Sequence, residues 1–116
     1  MINKSEKFVI NGGKPLNGKI KVSGAKNAAS KLIISTLLTN QPVHISNCPI
    51  GISEIGITKE ICETIGAKFL KFSDNEVIVQ TKTIREFSFS SDLGLINRLS
   101  ILTMGPLLTR TGEAKI

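Results

Sequence analysis

The chain has 116 residues, 41% of them hydrophobic and 21% charged, a balance that fits one small globular unit and excludes a disordered tail or a fibre. No stretch approaches the roughly 20 apolar residues of a membrane span, and "MINKSEKF" lacks the apolar segment of a secretion signal, so a cytoplasmic location is expected. Fifteen Lys and Arg against nine Asp and Glu give a net charge of +6, which attracts nucleotides, phosphorylated metabolites or polyanions; without Trp or Tyr and with only five Phe, nucleic-acid stacking is disfavoured.

Residues Lys7 to Ile10 and Lys19 to Val22 alternate apolar and polar side chains around "NGGKPLNG", which predicts two short strands joined by a turn. From Ala25 to Leu38, Ala25, Ala28, Ala29, Leu32, Ile33, Thr36 and Leu37 recur at spacings of three and four. That period predicts an amphipathic helix, with Ser23 and Gly24 where its cap belongs. "NQP" ends it, and Val43 to Ile45 reads as a strand. A second helix is predicted from Ser53 to Ile65, with Ile57, Ile61 and Ile65 in register and Gly66 as its stop. "AKFLKF" and "EVIVQ" flank the turn signal "SDN" and predict a hairpin. Residues Asp92 to Thr109 read as a third helical segment that Gly105-Pro106 should kink or shorten, and Glu113 to Ile116 as the start of a strand.

Strand, helix, strand, helix, hairpin, helix, strand is an α/β order. Leu37-Leu38-Thr39 recurs 70 residues on as Leu107-Leu108-Thr109, each time followed by a turn and a strand. The echo implies a repeated unit whose second copy is incomplete, and a terminal strand with an open edge points the same way.

In "VSGAKNAAS", Lys26 and Asn27 fall in the first turn of the first helix. A helix start already carries about half a positive charge, so a cation there is unfavourable by roughly 0.3–1 kcal/mol. Free N–H groups, a neighbouring glycine and a lysine together describe a phosphate site, to which asparagine adds a donor and an acceptor. A solvated surface pair is the alternative. Arg98, in "LGLINRLSILTMG", has mostly apolar neighbours, so its guanidinium either turns to solvent or pairs with a carboxylate or phosphate. His44 has no partner in view, and Glu60 and Glu63 read as water-facing. Cys48 and Cys62 lack metal-ligand spacing and are expected to be reduced and structural. No nucleophile or acid–base motif stands out.

The run "GKIKVSGAKNAASKLIISTLLTNQPVHISNCP", then "TIGAKF", then "INRLSILTMGPLLTRTGEAKI" closely resembles the N-terminal part of the UDP-N-acetylglucosamine 1-carboxyvinyltransferases, members of the enolpyruvyl transferase family. The similarity is collinear over nearly the whole chain. The sister enolpyruvylshikimate-phosphate enzymes carry Lys-Ser at the first site, so Lys26-Asn27 favours the UDP-sugar branch. The resemblance implies an inside-out α/β barrel of βαβαββ repeats. It implies transfer of an enolpyruvyl group from phosphoenolpyruvate to UDP-N-acetylglucosamine in peptidoglycan precursor synthesis, without metal or organic cofactor.

It also implies that Lys26 holds phosphoenolpyruvate, Asn27 orients the substrates and Arg98 contacts the UDP-sugar. Residues 1–22 would pair with a second domain, and 23–116 would hold the first repeat and the start of the second. The family's general acid, a Cys or Asp, is expected beyond Ile116, so no catalytic residue falls within the chain and these residues alone should not turn over. Leu102 stands where many members have an aromatic, and Leu99 where alanine is common. A stand-alone UDP-sugar or phosphate-binding module, without chemistry, is the rival reading.

Overall fold

The computed structural model describes residues 7–86 and 99–115. Helix α1 runs Lys26–Ser35 and tightens into a 3-10 turn over Thr36–Leu38. Strand β1 is Val43–Ile45, helix α2 Ser53–Ile65, strand β2 Lys68–Ser73 and strand β3 Glu76–Gln80. A second 3-10 turn, Ser100–Thr103, leads into helix α3, Met104–Thr111.

The tightening of α1 has a local cause. The hydroxyls of Ser35 and Thr36 donate to the carbonyls of Leu32 and Ile33 at 2.8 and 2.6 Å, three residues back, which competes with the regular ladder. The buried stripe of α1 is Ala29, Ser30, Ile33 and Ile34, continued by Thr36 and Leu37. Leu32, expected inside, is half exposed, so the helix is turned from the face the periodicity indicates.

Helix α2 matches its expected ends. Gly66 follows it at φ 124°, a conformation costly for any residue with a β-carbon, and its N–H returns to Cys62 and Glu63. The hairpin turns on Asp74 and Asn75, both left-handed at φ 54° and 57°, the pair of positive angles that suits a two-residue turn to strand twist. Strand β3 lies between β1 and β2 and is antiparallel to both. β1 and β2 therefore point the same way, joined by α2 as a crossover. The register of β2 slips between Phe69 and Lys71, which leaves Leu70 exposed.

Ile33, Leu37, Ile55, Ile61, Ile65, Val77, Val79 and Leu107 are fully buried and make up most of one core where the helices meet the sheet. Each such side chain contributes roughly 1.5–3 kcal/mol relative to exposure.

Three expectations are corrected. No strand forms at Lys7 to Ile10 or Lys19 to Val22; Phe8, Ile10, Leu16 and Ile20 are almost entirely exposed. A strand needs a neighbour for its N–H and C=O groups, and the described chain offers this segment none. The cap of α1 is Ala25, without a side-chain hydrogen bond, rather than Ser23 or Gly24. Gly105-Pro106, expected inside a helix that it would kink or shorten, stands at the opening of α3, where the 3-10 turn passes into α-helix: Pro106 sits in the first turn, where an N–H has no helical acceptor to lose. The predicted helical residues 92–98 lie outside the described residues. Of the strand start expected over Glu113 to Ile116, the described residues show a bridge at Lys115, and Ile116 lies outside them.

Candidate functional site

The site begins with a close approach. Gly24 is pressed against the backbone of Asn47, which itself takes a positive φ of 53°. Asn47 Nδ2 donates to the Val22 carbonyl at 3.4 Å, and the Cys48 N–H donates to the Asn75 carbonyl at 2.7 Å. These contacts bind the approach to α1, the loop before α2 and the hairpin turn into one unit. Between residues 21–24 and 47–52 lies a groove of about 520 Å³, with Asn75 on its wall.

Directly after this contact α1 starts, with Lys26 and Asn27 as its first two residues, both exposed. No acidic residue occupies this first turn, whereas the first turn of α2 carries Glu54. Lys26 Nζ lies 2.8 Å from Glu54 Oε2. The two helix starts therefore stand side by side, and the ion pair joins them. A lysine disfavoured by its own helix is compensated by a carboxylate that the neighbouring helix favours. The Lys26 and Asn27 carbonyls accept from Ser30 Oγ and Lys31 Nζ, both at 3.2 Å. Backbone N–H groups at the head of α1 and a nearby ammonium make a surface that can receive a phosphate or carboxylate.

Arg98, the third expected binding residue, lies outside the described residues. His44 approaches Glu76, Nε2 to Oε1, at 3.7 Å, in an exposed cross-strand cluster with Lys71. There the Lys71 hydrogen bond holds the Glu76 carboxyl below its ordinary range, and Glu76 raises Lys71 in return. Glu60 is exposed, and Glu63 pairs with Lys59 at 2.7 Å on the helix surface. Cys48 and Cys62 are buried and unbonded; burial pushes the Cys62 thiol up to about 12, with Glu63 adding to it, and raises Cys48. Neither supplies a thiolate at neutral pH. Among the described residues, no three His, Cys, Asp or Glu side chains gather into a metal site, and no helix is long and apolar enough to cross a membrane.

Sequence reasoning missed two residues. Glu54 lies far from Lys26 in the chain, and only its place in a helical first turn marks it. Arg110, in the last turn of α3, donates from Nη1 to the carbonyls of Leu37, Thr39 and Thr81 at 3.0, 3.4 and 2.8 Å, and from Nη2 to Lys82 at 3.1 Å. It gathers the carbonyl end of α1 and the segment after β3 onto α3.

The profile of the EPSP synthase family, 3-phosphoshikimate 1-carboxyvinyltransferase, matches residues 10–116. The chain belongs to this family. Among its curated relatives, the UDP-N-acetylglucosamine 1-carboxyvinyltransferase of Idiomarina loihiensis is 36% identical over 111 residues, 96% of this chain and 26% of that protein. UDP-N-acetylglucosamine 1-carboxyvinyltransferase 2 of Carboxydothermus hydrogenoformans is 40% identical, with the same shares covered. This member of the family therefore spans about a quarter of the length of these relatives and aligns with an N-terminal portion of them. Among solved structures, the enolpyruvyl transferase NikO from Streptomyces tendae superimposes with a TM-score of 0.70 at 27% identity, over 89% of this chain and 24% of that one. The α/β architecture expected from the element order is thus that of an enolpyruvyl transferase.

Proposed function

We propose that this chain forms one wall of the active site of an enzyme that transfers an enolpyruvyl group from phosphoenolpyruvate to UDP-N-acetylglucosamine. The observation that carries the reading is the exposed Lys26-Asn27 pair at the head of α1, in a chain whose relatives bear that enzyme's name. Lys26 offers a full positive charge beside the helix N–H groups, suited to the phosphate and carboxylate of phosphoenolpyruvate. Asn27 offers a donor and an acceptor for a substrate hydroxyl or carbonyl. Arg98 is assigned to the UDP-sugar. Transfer requires the sugar hydroxyl to lose its proton and add to C2 of phosphoenolpyruvate as the methylene carbon takes up a proton, and then that carbon to give up a proton as the C2–O bond to phosphate breaks and inorganic phosphate leaves. Charged side chains that fix both reactants supply orientation and stabilise the phosphate-bearing intermediate.

The general acid, a Cys or Asp, is placed beyond Ile116, and the setting is cytoplasmic peptidoglycan precursor synthesis. The bare apolar side chains of residues 7–22 fit a segment that pairs with another domain of the same protein.

The test is Lys26→Ala in the full-length protein carrying this chain. Turnover should fall at least a hundredfold, as expected when a positioned charge is lost from the transition state, with the melting temperature unchanged. Wild-type turnover in that variant would overturn the site assignment.

A further inference from the structure

The Lys26–Glu54 contact has more to it than a surface ion pair. Lysine is a compact charge on a flexible four-carbon stem, so an anion that binds it must first immobilise the stem. Here the stem is already held: Nζ sits 2.8 Å from Glu54 Oε2, with the side chains 45% and 30% exposed. The ammonium has three donors; one directed at Glu54 leaves two for a ligand.

Glu54 is itself on a firm support. The residues Ile55, Thr58 and Ile61 that follow it are fully buried, and its backbone carbonyl accepts from Thr58 Oγ1 at 2.8 Å. Its charge also suits its position in the first turn of α2. The backbone that carries the carboxylate is thus anchored in the core, and the pairing gives the Lys26 ammonium a position next to it.

Resting on the proposed function, the geometry points to Glu54 as a positioning residue that holds the Lys26 ammonium between the two helix starts, already aimed when the phosphate-bearing substrate arrives. The opposite role is a carboxylate that competes with the substrate for Lys26. The two differ in sign: removing a positioning carboxylate weakens anion binding, and removing a competitor tightens it.

The experiment is a phosphoenolpyruvate titration of the full chain followed by NMR of the Lys26 Hε protons, identified by their loss in Lys26→Ala. A held side chain gives two distinct Hε signals before any ligand is added. In Glu54→Ala these should merge and the Kd should rise about three- to tenfold, the cost of immobilising one flexible side chain. Glu54→Asp should restore part of both, and the melting temperature should stay constant throughout.

Merged Hε signals in the wild type would overturn the inference. So would a Kd that is unchanged or lower in Glu54→Ala. Distinct signals that merge in Glu54→Ala, with no response to phosphoenolpyruvate in any variant, would support the positioning and instead remove the proposed function.

Discussion

A β-carbon on Gly24 would lie 1.8 Å from the carbonyl oxygen of Asn47 and 3.0 Å from Pro49 Cδ. The obstacle is backbone, which cannot swing aside as a side-chain tip can. Gly24→Ala should therefore destabilise the protein by about 1–3 kcal/mol, in the range of other overpacked sites. The urea midpoint reports this directly. Because α1 starts two residues later, the same variant should weaken phosphoenolpyruvate binding at Lys26. An unchanged midpoint would show that the two segments separate freely.

Arg110 predicts a different loss. Its guanidinium serves four backbone carbonyls from two distant segments, in directions that a single ammonium cannot reproduce. Arg110→Lys should cost about 1.5–3 kcal/mol, the range for hydrogen bonds to a charged group, and Arg110→Ala at least as much. Hydrogen exchange should locate the effect at residues 37–39 and 81–82. A lysine variant as stable as wild type would remove the geometric argument.

Cys62 makes the protein sensitive to alkali. Its folded thiol is pushed up to about 12 from an ordinary 9.0, so above pH 9 the unfolded chain gives up a proton that the folded chain retains. The stability from this group is complete below pH 9 and lost as pH rises from 9 toward 12, at no more than about 1.4 kcal/mol per pH unit. Denaturation at pH 8, 9 and 10 should show the decline, and Cys62→Ala should lessen it, with buried Cys48 still contributing, while lowering stability overall. In the folded protein both cysteines should resist iodoacetamide.

Residues 7–20 bury nothing, as the near-complete exposure of Phe8, Leu16 and Ile20 shows. In the 116-residue chain by itself, without the other domain that the proposed function gives it, replacing Phe8, Leu16 and Ile20 by serine should move the melting temperature by less than about 2 °C, since surface changes that touch no buried contact stay within about half a kcal/mol. A larger drop would mean that this segment supports the core.

What was legible in the sequence was what depends on near neighbours. Ile61 and Ile65 on one face with Gly66 behind them gave α2 its correct limits, and Asp74-Asn75 between two apolar runs marked the hairpin. Lys26 could be placed in a first turn for the same reason, although the cap fell one residue later than Gly24. The failures depend on distant partners. The alternation at Lys7 to Ile10 has the period of a strand, but a strand exists only where another lies beside it. Pro106 was read against a helix beginning at Asp92, whereas the helix it belongs to opens at Met104. Glu54 could not be connected to Lys26, nor Arg110 to Leu37, because helix packing makes those pairs and local spacing carries no record of it.

The clasp at Arg110 also sets the order of events during folding. The hairpin and α2 need only nearby residues, and their contacts can form within microseconds. The Leu37 carbonyl must wait for a guanidinium 73 positions downstream, so its bond closes one of the longest loops in the molecule. On a ribosome, every residue up to the hairpin is synthesised before that partner. Until it is, the far end of the first helix lacks the partner that holds its Leu37 carbonyl in the folded protein.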